Sequence, residues 1–133
     1  MITGYGRTRQ NHLVRAAAWL EIIAGIGLIL APKIACQLLF AAPLEGAGLP
    51  ITRFAGIVLL ALGSACLPRP ATAQTRAAAL GLFVYNAGAV MLFVWLGLAT
   101  ALQGILLWPA VILHAAVAAA LLPQLLNRDS VST

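Results

Sequence analysis

Four long apolar stretches fill most of the chain and constrain its fold more than any other feature. They cover about residues 13–31, 51–67, 77–99 and 105–126. A helix needs about 20 apolar residues to cross a bilayer, so each stretch is long enough for one crossing, the second being the shortest. The alternating pattern of a membrane β-barrel does not occur. The sequence therefore predicts an all-α protein, a four-helix transmembrane bundle that forms one integral membrane domain over residues 1–133.

Composition argues against a water-soluble domain. The chain is 62% hydrophobic and 8% charged, which leaves too little polar surface to cover a soluble fold. Pro32 and Pro50 lie at expected span boundaries, where proline is tolerated. In the fourth span we expect Pro109 in the first turn and a kink or stop near Pro123. The apolar residues of the connection 32–50 predict a segment that lies along the membrane interface.

The basic residues predict the orientation of the bundle. Of the 8 Lys and Arg residues, only Lys33 and Arg53 flank the side opposite the termini. The positive-inside rule therefore predicts that both termini are cytoplasmic and that Trp95 and Trp108 lie at the outer interface. The same asymmetry explains the net charge of +5 without nucleic-acid binding. We expect a multi-pass protein of the inner (cytoplasmic) membrane, with the lipid bilayer as its first partner and an uncleaved first span.

Glu21 lies in the middle of the first span. A charged side chain at the centre of a bilayer costs on the order of 2.5–3.5 kcal/mol on insertion scales, so this carboxyl group needs neutralisation, a partner or a function. Counting about 1.5 Å per residue from the span ends puts Glu21, Asn86 and His114 at similar depths near the midplane. The sequence therefore predicts a polar layer drawn from three of the four helices.

Helical spacing predicts which faces pack. The residues three and four positions from Glu21 are small, which lets helices approach closely and predicts that Glu21 points inward. Tyr85 has a similar set of small neighbours. The neighbours of Asn86 are larger, which leaves open a partner other than Glu21. The neighbours of Glu21 are Ala17, Ala18, Ala24 and Gly25. Those of Tyr85 are Ala78, Gly81, Gly88 and Ala89, and those of Asn86 are Leu82, Phe83, Ala89 and Val90.

Each candidate residue has a functional and a structural interpretation. Glu21 and His114 could share a proton or anchor the polar head of a ligand, or they could only fix the register of the helices. Asn86 and Tyr85 could line a pocket, or they could serve hydrogen bonding between helices and packing. Arg53 could bind an anionic group of a ligand, or it could extend to lipid headgroups.

No motif indicates catalysis, a metal or a cofactor. His12 lies at the edge of the first span and His114 deep in the fourth, so the two cannot ligate one haem. Cys36 and Cys66 are expected at opposite ends of the bundle, too far apart for a disulfide, and no CxxC motif occurs. The sequence also lacks a phosphate-binding glycine loop, a nucleophile elbow and a paired-carboxylate metal motif. We predict no cofactor and no metal, and we find no positive support for an enzyme.

One stretch runs from RFAG at residues 53–56 through LLALG at residues 59–63 to the basic turn Pro68-Arg69, and then to Arg76 and an alanine-rich third span. It resembles the DoxX-like group of small four-span bacterial membrane proteins. The resemblance implies a four-helix membrane fold and association with redox or other membrane assemblies. It carries no functional residue over to this chain.

Two functional hypotheses follow. In the first, the protein is a non-catalytic accessory or interaction subunit of a larger membrane complex or a homo-oligomer. In the second, it is a carrier or binding protein for a hydrophobic molecule with a polar head, such as a quinone or a lipid. The second hypothesis uses Glu21, Asn86 and His114 as the binding cluster.

Overall fold

The computed structural model describes residues 3–67 and 75–126, which form five helices and short connections. No strand occurs in these two ranges. The helices are α1 (Thr3–Leu30), α2 (Pro32–Phe40), α3 (Gly48–Cys66), α4 (Thr75–Ala99) and α5 (Leu107–Leu126).

Four of these helices are long and apolar enough to cross a membrane, over His12–Leu30, Gly48–Cys66, Arg76–Ala99 and Leu107–Leu126. The predicted fold class and the four predicted spans are therefore confirmed. The largest difference in bounds is at the second span, which begins at Gly48 because Pro50 is accommodated in the first turn of α3. Pro123 does not stop the fourth span, since α5 continues to Leu126.

The bundle consists of two closely packed helix pairs, α1 with α3 and α4 with α5. Glycines allow the backbones of α1 and α3 to touch. A Cβ atom at Gly25 would lie 2.6 Å from the carbonyl oxygen of Gly56, and one at Gly63 would lie 2.6 Å from that of Ala18. Small residues therefore determine how closely these two helices approach, as the stripe around Glu21 predicts.

The two pairs share a buried apolar cluster toward one end of the bundle. This cluster joins all four long helices. It lies near the first residues of the spans in α1 and α4 and near the last residues of the spans in α3 and α5. Glu21 lies just beyond this cluster along α1, so the polar residues lie at the boundary between a closed half and a more open half. The cluster contains Val14, Ala17, Ala18, Cys66, Ala79, Leu82 and Leu121.

Helix α2 covers part of the opposite end. Its last turn accepts two backbone hydrogen bonds from the connection between α4 and α5: Gly104 N–H donates to Leu39 O at 3.0 Å and Leu106 N–H to Leu38 O at 2.8 Å. Ala41, with a φ of 52°, ends α2 in the left-handed region. The connection that the sequence predicts as an interfacial segment thus contains a helix that contacts the α4–α5 pair.

Candidate functional site

Asn86 is the central residue of a buried polar cluster. Its side chain is 1% exposed, and that of Glu21 is 3% exposed. The Nδ2 atom of Asn86 donates to Glu21 Oε1 at 3.2 Å and to the carbonyl oxygen of Leu82 at 2.8 Å. An amide nitrogen has two hydrogens. Both donors of Asn86 are therefore used, one between helices and one within α4.

His114 completes the cluster from α5. Its Nδ1 atom lies 2.7 Å from Asn86 Oδ1. The amide orientation is fixed by the carbonyl of Leu82, which can only accept, so the amide oxygen faces the imidazole. Nδ1 must then carry the hydrogen and donate it. In a neutral ring this leaves Nε2 as an acceptor, on the side of the imidazole away from Asn86.

Two aromatic rings hold the imidazole in place. The ring centroids of Tyr85 and Phe93 each lie 5.7 Å from that of His114, with Tyr85 in an edge-on arrangement. The phenol of Tyr85 also lies near the carboxyl group of Glu21. The cluster is thus a connected set of side chains from α1, α4 and α5, and α3 contributes no polar side chain to it.

The cluster lies at the inner end of an apolar cavity of about 570 Å³ between the two helix pairs. Along α1 the lining extends from Glu21 to Ala31, about 15 Å at 1.5 Å per residue. Besides Glu21, Tyr85, Asn86 and His114, the lining is apolar. It consists of Leu20, Ile23, Ala24, Gly27, Leu28 and Ala31 of α1 and its end, Ile34, Ala35, Leu38 and Leu39 of α2, Leu59 of α3, Phe93 of α4, and Leu106, Pro109, Ala110, Leu113 and Val117 in and before α5.

The cavity is open between α1 and α5. Ile23 and Ile34 line it and yet are 64% and 63% exposed, and Leu20 and Leu113 are exposed as well. In a four-span protein this side of the bundle faces acyl chains. A hydrophobic molecule could therefore enter the cavity from the bilayer without crossing an aqueous phase.

The structure brings Glu21, Asn86 and His114 together, but in an order that the sequence does not predict. Glu21 and His114 are connected through Asn86, which bonds to both, and share no hydrogen bond of their own. The possibility that Asn86 faces a different partner is wrong. That interpretation equated a buried face with small residues, whereas α4 buries the large side chain of Leu82 beside Asn86.

The other candidates separate. Tyr85 lines the cavity, and Arg53 is exposed and does not. Ala24, which the spacing groups with the packed stripe, lies in the cavity lining. Gly88 faces open space, with no atom within 4 Å of the position that a Cβ would occupy. Sequence reasoning missed the contribution of α2, whose apolar residues were the available signal.

Cysteine and metal chemistry add nothing to the site. Cys36 and Cys66 are buried free thiols. Cys36 Sγ lies 3.6 Å from Thr52 Oγ1, and Cys66 Sγ donates to the carbonyl of Ala78 at 3.7 Å. Within the described ranges no three His, Cys, Asp or Glu side chains converge as metal ligands.

Fold and site together define a small multi-pass helical membrane protein with a polar cluster inside the bundle. Comparison of the chain with protein families, curated proteins and solved structures finds no match. The cavity and the residues that line it are therefore the features that indicate its function.

Proposed function

We propose that this protein is a binding or carrier protein for a hydrophobic molecule with a polar head. The observation that carries the proposal is the Glu21–Asn86–His114 cluster at the inner end of an otherwise apolar cavity. Small-molecule sites are typically mostly apolar cavities of about 300–1,000 Å³ with a few convergent polar groups. The cavity volume of about 570 Å³ lies within this range.

The geometry supports a single orientation of the ligand. The polar head would contact His114 and Glu21, where hydrogen bonds are available. The apolar part would extend along α1 toward α2, in contact with aliphatic side chains such as Leu28 and Leu39. The opening between α1 and α5 would allow exchange with the bilayer. The role is to hold and orient the molecule, and no chemical step is part of the proposal.

A matched pair of glycine substitutions tests the proposal. Gly27 and Gly88 are both exposed helix glycines with open space around the Cβ position, but only Gly27 lines the cavity. Gly27→Phe should fill the cavity without a clash, whereas Gly88→Phe should leave it unchanged. The binding of a para-alkylphenol and of a short-tailed benzoquinone to the purified protein is measured by scintillation proximity in detergent.

We expect the wild type and Gly88→Phe to bind at least one of these probes with equal affinity. We expect Gly27→Phe to bind it at least about tenfold more weakly, because the ring takes up volume that the ligand needs. Failure of the wild type to bind either probe refutes the proposal. Equal binding by Gly27→Phe also refutes it, since the probe would then lie elsewhere.

A role as an accessory or interaction subunit is a second proposal. The observation that favours it is the exposed apolar face of α4, where Gly88 lies between Val84 and Met91, which are 61% and 74% exposed. A partner helix could approach closely at this glycine. The resemblance to DoxX-like bacterial proteins, with its implied membrane assemblies, belongs to this proposal. Purification in a mild detergent tests it: a co-migrating protein lost in Gly88→Phe supports a subunit, and a monomer alone contradicts it.

We further propose the inner membrane as the location of the protein, with both termini cytoplasmic. Only Lys33 and Arg53 flank the predicted outer side among the 8 Lys and Arg residues. This asymmetry supports the orientation through the positive-inside rule.

A further inference from the structure

The hydrogen bonds at the inner end of the cavity determine which ligand head can bind there. Both donors of Asn86 are taken, by Glu21 and by the carbonyl of Leu82. Its oxygen accepts from His114. The Tyr85 phenol lies near the carboxyl group of Glu21. Asn86 therefore has no hydrogen to offer a ligand.

His114 has one ring nitrogen that this cluster does not use. Because Nδ1 donates to Asn86, the neutral ring presents a lone pair at Nε2. His114 is partly buried and lines the cavity, and among the described residues its hydrogen bond is the one from Nδ1 to Asn86, which leaves Nε2 unused. Tyr85 and Phe93 pack against the ring and oppose its reorientation. The protein thus places a ring with an unused acceptor in the lining of an apolar space.

We infer that the ligand is a lipophilic molecule whose head carries a hydroxyl or N–H donor, and that this donor bonds to Nε2 of His114. The inference rests on the proposed binding function and narrows its substrate class. An alcohol, a phenol or the hydroquinone form of a quinone satisfies Nε2. A quinone carbonyl or an ester oxygen has only lone pairs to place against Nε2. Neither that oxygen nor Nε2 then has a hydrogen-bond partner, which is unfavourable in an apolar cavity.

Two probes of nearly equal size and shape test the inference. One probe is a para-alkylphenol. In the other, fluorine replaces the hydroxyl group and the alkyl chain is the same, so the two probes differ in the O–H donor at the head. We expect the phenol to bind the wild-type protein about tenfold more tightly, the size of effect produced by one hydrogen bond at a buried site. In His114→Phe, which retains an aromatic ring but has no acceptor, the ratio of the two affinities should fall to about one.

Nitrogen-15 NMR provides a measurement that does not depend on a variant. The chain has two histidines, His12 and His114, and His12→Gln assigns the signals. We expect the resonances of His114 to show a hydrogen on Nδ1 and a free Nε2, and the Nε2 resonance to shift when the phenol is added.

The outcomes distinguish this inference from the proposed function. Equal affinity for the phenol and the fluoro analogue overturns the inference and leaves the binding function intact. A hydrogen on Nε2 of His114 in the wild type also overturns it. If neither these probes nor the benzoquinone binds, both the inference and the proposed function fail.

Discussion

Replacement of Asn86 by leucine removes the residue that connects the polar cluster while keeping the same branched arrangement of side-chain heavy atoms. Three hydrogen bonds are lost, to Glu21, to His114 and to the carbonyl of Leu82. The Leu82 carbonyl keeps its backbone hydrogen bond within α4. The carboxyl of Glu21 and Nδ1 of His114 lose their Asn86 partners, and the first of these bonds joins α1 and α4, which belong to different helix pairs.

The size of the effect follows from the two bonds between helices. Such bonds in membrane proteins contribute about 0.6 kcal/mol on average and about 1.7 kcal/mol at most. The loss of both should lower the free energy of unfolding by about 1–3 kcal/mol. The greater hydrophobicity of leucine gives little compensation, because the chain unfolded in dodecyl sulfate micelles is also in an apolar environment.

The assay is unfolding in mixed micelles of increasing dodecyl sulfate content, followed by tryptophan fluorescence. Ser64→Leu is the matched control, since it makes a polar-to-leucine change at an exposed position of α3. A double-mutant cycle with Glu21→Leu isolates the Glu21–Asn86 bond. If Asn86→Leu is no less stable than the control, or if the cycle is additive within about 0.5 kcal/mol, the cluster does not hold the helices together.

Three further predictions concern packing and orientation. Gly56→Leu should lower the free energy of unfolding by about 1–3 kcal/mol, because a Cβ at this position would meet the Gly25 backbone. Gly88→Leu should not lower it, and equal stability of the two variants contradicts the packing of α1 on α3. Gly104→Ala should speed hydrogen exchange of the Leu106 amide, since a Cβ there would clash with the end of α2; unchanged exchange contradicts that contact. Reporters fused to each terminus should both report a cytoplasmic location, and an external signal from either end contradicts the predicted orientation.

The spans could be predicted from the sequence because the bilayer imposes a length and a polarity on each of them. The pairing of the helices could not. Small-residue stripes occur on several spans, and nothing in the spacing indicates that Gly25 and Gly63 contact α3 and α1 respectively while Gly88 contacts nothing. The stripe predicts a close approach but does not choose the partner.

The depth of the polar residues could also be predicted, because helix rise converts sequence position directly into distance. The order of their contacts could not, since it depends on the rotation of α4. Leu82 and Asn86 turn toward α1 together, and the burial of a large leucine fills the layer just below the amide. A rule that associates inward faces with small residues therefore misassigns Asn86.

The cavity was beyond prediction because it comes from the way in which two helix pairs diverge. The pairs are joined by Ala18 and Leu82 at the closed end and are separated where Ala24 and Ala110 line the cavity. Small side chains thus have opposite effects in the two halves. Near the closed end they bring helices together, and in the open half they leave space between helices that are held apart.

The location of the cluster connects its structural and functional interpretations. A cluster that only fixed helix register could lie in the closed half, where every polar atom would have a protein partner. Glu21 and His114 instead lie at the boundary, where they line the cavity. Both donors and the oxygen of Asn86 are hydrogen-bonded and join α1, α4 and α5, whereas His114 keeps Nε2 unused and lines an apolar space of about 570 Å³. The same residues can therefore stabilise the bundle through Asn86 and provide a binding group through His114.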